Sequence, residues 1–255
     1  MPTFSGMNWA MAQELPSLAT DDVHVWLLRL DEYVVHFEWF LQTLAPEDLE
    51  KLCRFHFQKD REHFAVARVM AKTILGGYLN VAVQEVHFRY NAFGKPALVD
   101  PGPKDLRFNL SHSNDLALLA VVCGREVGID LEYQRAEIAN EDIARRFFSA
   151  SEVESLARLP KDLQFEAFFK YWTCKEAYIK GIGTGLSFPL DKFTVSLNPL
   201  GAHKRLEVAG NEEETTRWMF WDVSPNSQYA AAVVAEGSGL SLGAFAALGP
   251  PPHGK

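Results

Sequence analysis

Asp162-Leu-Gln-Phe-Glu-Ala-Phe-Phe-Lys-Tyr-Trp-Thr-Cys-Lys-Glu-Ala-Tyr-Ile-Lys-Gly-Ile182 is the stretch on which the fold turns. It reads as one long helix. Phe165, Phe168, Phe169, Tyr171, Trp172 and Tyr178 crowd so much of its circumference that it is buried on several sides. Ahead of it, Ser149-Ala-Ser-Glu-Val-Glu-Ser155 offers serine N-caps followed by acids. Strands are expected after it near Phe193–Leu197, Trp218–Val223 and Tyr229–Ala235. The same order of elements occurs earlier. Val23–Leu30 reads as an opening strand, and Pro46-Glu-Asp-Leu-Glu50 starts a helix with proline and acids in its first turn. Lys59–Leu79 is a long amphipathic helix with Phe64, Ala67, Ala71 and Ile74 on one stripe and Gly76-Gly77 near its end. Short strands follow around Val86–Tyr90, Ala97–Val99, Arg107–Ser111, Leu116–Cys123 and Val127–Glu132, punctuated by turns at Gly94-Lys95-Pro96 and Gly124-Arg125.

This recurrence predicts an α+β fold of two similar α/β halves related by pseudo-twofold symmetry, each with a long helix packed on a small, mostly antiparallel sheet. The junction falls near Cys123–Arg125. Residues 1–124 then form the N-terminal half, 125–245 the C-terminal half with the candidate metal site, and 246–255 a loose tail. The first twenty residues are expected to be loose as well. A cleft between the halves is where a ligand would bind.

Composition narrows the function. With 47% hydrophobic and 23% charged residues, the chain of 255 has the make-up of a soluble globular enzyme. A net charge of -8 argues against a nucleic-acid partner, which demands clustered Lys and Arg. It leaves room for a small phosphate ligand. Cys53, Cys123 and Cys174 are odd in number and widely spaced, which excludes a disulfide framework or a cysteine metal site and fits a cytoplasmic protein. Cys174 reads as apolar filler. No stretch is long and apolar enough to span a membrane, and no basic then apolar leader opens the chain.

The chemistry concentrates in two places. Val127-Gly-Ile-Asp-Leu-Glu132 reads as a strand, so Asp130 and Glu132 point to the same side. Two such carboxylates are either a metal clamp or a solvated strand end. On the second long helix, Trp172, Glu176 and Lys180 share a face, with Lys175 turned about one hundred degrees away. As a surface pair, Glu176 and Lys180 would add only about 0.2–0.5 kcal/mol. On a largely buried helix they need partners. A cation bridging Asp130, Glu132 and Glu176 would supply one, and three carboxylates suit Mg²⁺, which completes its shell with water and phosphate oxygens. Upstream, Phe108-Asn-Leu-Ser-His-Ser113 ends a strand with hydrogen-bonding groups, where His112 alone reads as a turn residue. Gly181-x-Gly183-x-Gly185 follows a helix rather than a strand, which rules out a dinucleotide fingerprint.

Taken in order, Gly94-Lys95-Pro96, Phe108-Asn-Leu-Ser-His-Ser113, Val127-Gly-Ile-Asp-x-Glu132 and Trp172-Thr-x-Lys-Glu-Ala-x-x-Lys180 resemble the motif set of the 4'-phosphopantetheinyl transferases, specifically the large pseudo-dimeric type. Arg146-Phe-Phe-Ser149 and Gly185-Leu-Ser-Phe-Pro-Leu190 look like further parts of that pattern, and the resemblance runs from Val23 to Ala235. It implies transfer of phosphopantetheine from coenzyme A to a serine of an apo acyl or peptidyl carrier protein, releasing adenosine 3',5'-bisphosphate. It also implies that Asp130, Glu132 and Glu176 hold Mg²⁺, and that Glu176 serves as general base. Lys180 and Lys175 would contact phosphate oxygens. Lys95, Asn109, Ser111 and His112 would line the adenosine and 3'-phosphate end. Pseudo-duplication makes a monomer the expected state. The chain departs from many relatives in carrying His63 where they place an arginine for the 3'-phosphate, with Arg61, Lys51 or Arg54 as candidate substitutes. A metal-dependent nuclease is the competing enzyme, against which the acidic charge weighs. A non-catalytic coenzyme A or carrier-protein binding module is the competing non-enzyme, against which the intact Asp130, Glu176 and Lys180 weigh.

Overall fold

The computed structural model describes residues 7–185, 188–196, 205–208 and 211–247. The expected tail from Leu248 onward, part of the Gly185–Leu190 stretch and the end of the expected strand at Leu197 lie outside the described residues. A two-residue strand β1 (Ala10–Met11) precedes β2 (Asp22–Arg29). Three helices follow: α1 (Phe37–Thr43), α2 (Pro46–Leu52) and the long α3 (Gln58–Leu79). The hairpin β3 (Phe88–Tyr90) and β4 (Pro96–Leu98) leads into β5 (Leu106–Ser113), β6 (Leu116–Cys123) and β7 (Val127–Tyr133). Then come α4 (Glu141–Phe147), α5 (Ala150–Arg158) and the second long helix α6 (Lys161–Ile182). The pair β8 (Phe193–Ser196) and β9 (Arg205–Val208), α7 (Glu212–Arg217), β10 (Trp218–Asp222), β11 (Tyr229–Glu236) and β12 (Ser241–Ala246) complete the order.

Two sheets lie back to back. The first has the order β1-β12-β2-β6-β5, the second β10-β11-β7. Strand alternation sorts their side chains. Val23, Val25, Leu27, Leu116, Leu118, Ala120 and Val122 from the first sheet meet Val127, Ile129, Leu131, Ala231, Val233 and Ala235 from the second. The opposite faces carry the helices: Trp26, Leu28, Leu119 and Val121 pack on α3, and Ala232, Val234, Trp218 and Phe220 pack on α6. Covered on both faces, the strands read as near-continuous apolar runs, and every residue of Leu116–Cys123 is buried. The outcome is a four-layer α/β/β/α arrangement, a mixed α+β architecture as expected.

Local chemistry explains the helix ends. Pro46 opens α2, and Ser149 caps α5 in a reciprocal box in which its backbone N–H donates to Glu152 Oε2 at 2.7 Å. Both long helices run 22 residues and end on a left-handed residue, Asn80 (φ 57°) and Gly183 (φ 72°). Each is approached by a short helix whose third residue is a buried acid, Asp48 in α2 and Glu152 in α5. Each acid pairs with the lysine fourteen residues beyond the first of the long helix: Lys72 lies 3.7 Å from Asp48, and Lys175 lies 2.8 Å from Glu152. Arg68 adds a second cation beside Asp48 at 3.2 Å.

The final strand does not follow the division into 1–124 and 125–245. β12 runs parallel to β2 and between β2 and β1, so it belongs to the first sheet. Phe245 explains the crossing: its ring packs 5.2 Å from Trp26 and 4.9 Å from His24. The start of the expected tail is also fixed, since Ala247 donates to the Leu27 carbonyl and accepts from the Tyr33 hydroxyl, both at 3.1 Å.

Candidate active site

Asp130 and Glu132 stand on the face of β7 that looks toward α6, because Gly128 lets the helix lie directly on the strand. A Cβ at residue 128 would fall 2.0 Å from the Ala177 carbonyl oxygen and 2.3 Å from the Gly181 nitrogen. That close approach places Glu176 and Lys180 over the carboxylates. Lys180 Nζ donates to Asp130 Oδ1 at 2.6 Å and to Ser111 Oγ at 3.0 Å. Asp130 is 3% exposed, and its other oxygen, Oδ2, is buried without a hydrogen-bond partner among the described residues. Three carboxylates thus face one ammonium. Burial first, then the Asp130 charge, pushes both Glu132 and Glu176 up to about 7. Among the described residues, no three His, Cys, Asp or Glu side chains are gathered tightly enough to enclose a metal ion.

Ser111 and Asn109 serve the scaffold. β5 and β7 share no backbone ladder, yet Asn109 Oδ1 accepts from Ile129 N at 2.8 Å and Ser111 Oγ accepts from Leu131 N at 3.3 Å. Both side chains are buried, so Asn109 spends its carbonyl on β7 instead of opening to a ligand. Ser111 does reach the charged group, donating to Asp130 Oδ1 at 3.2 Å. His112, the next residue, is solvent-exposed at the edge of the cluster. Its closely packed surroundings still lower its pKa, chiefly by desolvation and then through the positive charge of Lys180 and His63.

Two expected ligand contacts are not brought here. Lys175 is 0% exposed and turned to the opposite wall of α6, where it pairs with Glu152 and donates to the carbonyls of Leu190 (2.8 Å) and Phe193 (2.6 Å). The hundred-degree offset from Glu176 that separates it from the shared face sends it into the core. Lys95 caps the C-terminal end of α6 through the Gly181 carbonyl at 2.9 Å, and also binds Glu126 and the Val127 carbonyl. It lines a cavity of about 330 Å³ with Arg89, Asn91, Arg107, Ile182 and Gly183, at the start of β7 rather than beside Asp130. Near the helix start, His63 is buried and its Nε2 lies 2.7 Å from Asp31 Oδ1. Of the candidate substitutes for the missing arginine, Arg61 donates to the Phe55 carbonyl and Lys51 sits 3.5 Å over the Tyr90 ring.

Sequence reasoning missed Gly128 as the residue that sets the helix on the strand. The signal was present, since an isolated glycine inside a strand marks close backbone approach. It also missed Ser113, whose Oγ accepts from Tyr133 N at 3.0 Å and donates to Glu132 Oε2 at 3.4 Å.

Acids and an ammonium held between facing secondary elements are a set of groups suited to phosphate chemistry. Residues 126–234 match the model of the 4'-phosphopantetheinyl transferase superfamily, and residues 33–124 match that of the 4'-phosphopantetheinyl transferase N-terminal region. The chain is 39% identical over 224 residues to the 4'-phosphopantetheinyl transferase HetI of Nostoc sp., covering 88% of this chain and 91% of that protein. It is 33% identical over 164 residues to the 4'-phosphopantetheinyl transferase Sfp of Bacillus subtilis, covering 64% of this chain and 71% of that one. It is 28% identical over 250 residues to the human L-aminoadipate-semialdehyde dehydrogenase-phosphopantetheinyl transferase, covering 91% of this chain and 75% of that one. The chain belongs to the 4'-phosphopantetheinyl transferases, and it is an enzyme of the large type.

Proposed function

We propose that this enzyme moves 4'-phosphopantetheine from coenzyme A to a serine hydroxyl of an apo acyl or peptidyl carrier protein in a Mg²⁺-dependent reaction. The observation that carries the reading is that Asp130 and Glu132 stand on the β7 face turned to α6, close enough for their charges to act on Glu176, with Lys180 at 2.6 Å from Asp130. The donor set fits Mg²⁺. All three groups offer hard carboxylate oxygens, Asp130 Oδ2 is buried without a partner among the described residues, and negative charge exceeds the single ammonium. When bound there, the ion would neutralise pyrophosphate oxygens as charge builds on the leaving group.

The chain's own groups supply the rest. The serine Oγ attacks the β-phosphorus, its bond to phosphorus forms as the bond to the departing adenosine 3',5'-bisphosphate breaks, and the serine proton passes to Glu176 directly or through one water. Without the ion, burial and the Asp130 charge push this carboxyl up to about 7; holding the cation would lower its basicity, and passing the proton through a water would ease that conflict. Lys180 stabilises phosphate oxygens, and His112, exposed beside it, binds the phosphates of the nucleotide end. The cavity at Lys95 lies on the same strand and helix and would take part of the nucleotide. Lys175 and Asn109 act as scaffold.

Matched long helices, each with a buried acid–lysine pair in the same position, support two halves related by pseudo-twofold symmetry and a monomeric enzyme. Among the described residues no helix is long and apolar enough to cross a membrane, and we place the reaction in the cytoplasm. The test is the intact mass of an apo carrier protein after incubation with this enzyme, Mg²⁺ and coenzyme A. A gain of one phosphopantetheine group, abolished by EDTA, is expected. No gain on several carriers, despite coenzyme A binding, would leave only a binding module.

A further inference from the structure

The seam between β5 and β7 repeats one device, and Ser113 is its last member. Side chains at alternate positions of β5 take the backbone N–H groups that β7 turns away from β11: Asn109 takes Ile129, Ser111 takes Leu131 and Ser113 takes Tyr133. The register advances by two on both strands, so each β5 side chain also stands beside the residue before its backbone partner. For Asn109 that neighbour is Gly128, which has no side chain to hold. For Ser111 it is Asp130, whose Oδ1 receives the hydroxyl proton at 3.2 Å. For Ser113 it is Glu132, whose Oε2 lies 3.4 Å from the hydroxyl. One hydroxyl therefore fixes both the β7 backbone and the carboxylate that leaves it. An amide in the same place could accept from the backbone but would offer the carboxylate a bulkier N–H group.

We propose that Ser113 is a positioning residue for the cation site: it holds Glu132 in the rotamer that turns its carboxylate toward Asp130 and Glu176. The assignment rests on the Mg²⁺-dependent reading of the site. Glu132 needs such a tether because it is only half-buried and, unlike Asp130, has no lysine at hydrogen-bond distance among the described residues. A glutamate side chain left free has several rotamers to lose on binding an ion, and a tether made before the ion arrives removes part of that cost. The second carboxylate of the strand pair then meets the cation already oriented, as supporting hydrogen bonds do for metal-ligating carboxylates generally.

The experiment compares the wild-type chain with Ser113→Ala and Ser113→Thr. Mg²⁺ is titrated calorimetrically into each metal-free enzyme loaded with coenzyme A, and the Mg²⁺ dependence of carrier modification is measured in parallel. Ser113→Ala is expected to weaken Mg²⁺ binding about tenfold, equivalent to ~1.4 kcal/mol, and to raise the half-saturating Mg²⁺ concentration by the same factor. The KM for coenzyme A at saturating Mg²⁺ should stay within twofold. Ser113→Thr, which keeps the hydroxyl, should restore both Mg²⁺ readouts. Loss of thermal stability in Ser113→Ala with unchanged Mg²⁺ affinity would overturn the proposal and reduce Ser113 to a structural link between the strands. A wild-type enzyme whose transfer ignores Mg²⁺ would overturn the reading of the whole site instead, so the two failures are told apart by the wild-type titration.

Discussion

Replacing Lys175 by methionine separates a structural lysine from a substrate-binding one. In the folded enzyme its ammonium satisfies Glu152 at 2.8 Å and the carbonyls of Leu190 and Phe193, with both members of the ion pair at 0% exposure. Methionine fills similar volume but takes the ammonium's hydrogen bonds from two carbonyls and leaves Glu152 without its counter-ion. Removing one partner of such a pair costs about 3–5 kcal/mol. In a chain of 255 residues, where each kcal/mol shifts Tm by about 2–4 °C, the fall is about 6–20 °C. Glu152 retains the N–H groups of Ser149 and Val195, each at 2.7 Å. Burial already raises its pKa, and loss of Lys175 removes the largest opposing influence. A carboxyl raised in the folded state favours folding while protonated and loses that advantage as pH rises, so the penalty is smaller at pH 5 than at pH 8. Thermal unfolding at both pH values gives the cost, and initial rates well below the lowered Tm give the KM for coenzyme A, expected within twofold of wild type. A Tm within 2 °C of wild type together with a tenfold higher KM would refute the assignment and return Lys175 to the phosphates.

Glu176→Gln removes a carboxyl held at about 7 in the folded state, against an ordinary value of 4.5. Between these values the native state keeps a proton that the unfolded chain has released, so metal-free stability falls as pH rises through the window. The displacement is worth about 3 kcal/mol, which solvent screening at this partly open site reduces to ~1–2 kcal/mol. In EDTA the variant should therefore melt above wild type at pH 8 and level with it near pH 4.5, while losing carrier modification; equal melting at pH 8 would count against the charge excess. Gly128→Ala drives a methyl into the backbone of α6 and should cost at least ~3 kcal/mol in urea unfolding, with loss of transfer; near-normal stability would mean that α6 does not rest on β7. His112→Ala should weaken coenzyme A binding about tenfold in calorimetry, ~1.4 kcal/mol, and an effect confined to turnover would remove it from the binding surface.

The elements most legible in the sequence were those fixed by local rules. Ser149 and Glu152 announced a capping box, and both long helices begin one residue before their expected starts, at Gln58 and Lys161. Period-two alternation put Asp130 and Glu132 on one face, and four-residue spacing put Glu176 and Lys180 on another. Spacing names a face but not what lies opposite. Lys175 differs from Lys180 only in its angular position on α6, and that angle sends it to Glu152 rather than to a phosphate. Asn109 and Ser111 carried a motif without showing that their oxygens replace a backbone ladder across two sheets. Lys95 looked like a ligand residue, and its partners on β7 and α6 come from 32 and 86 residues away. Long-range pairings of this kind leave no local pattern.

The placement of β12 reaches beyond architecture into how the chain becomes a folded enzyme. Asp22 pairs with Ser241, so β2 receives one of its two neighbours from a segment that leaves the ribosome more than two hundred residues later. Until then the first half of the nascent chain carries a strand with an open edge and Trp26 without Phe245 beside it. At about 5–20 residues per second, that exposure lasts some ten to forty seconds. The early and late segments of the chain are therefore tied in time as well as in space: the sheet that begins first is the one completed last.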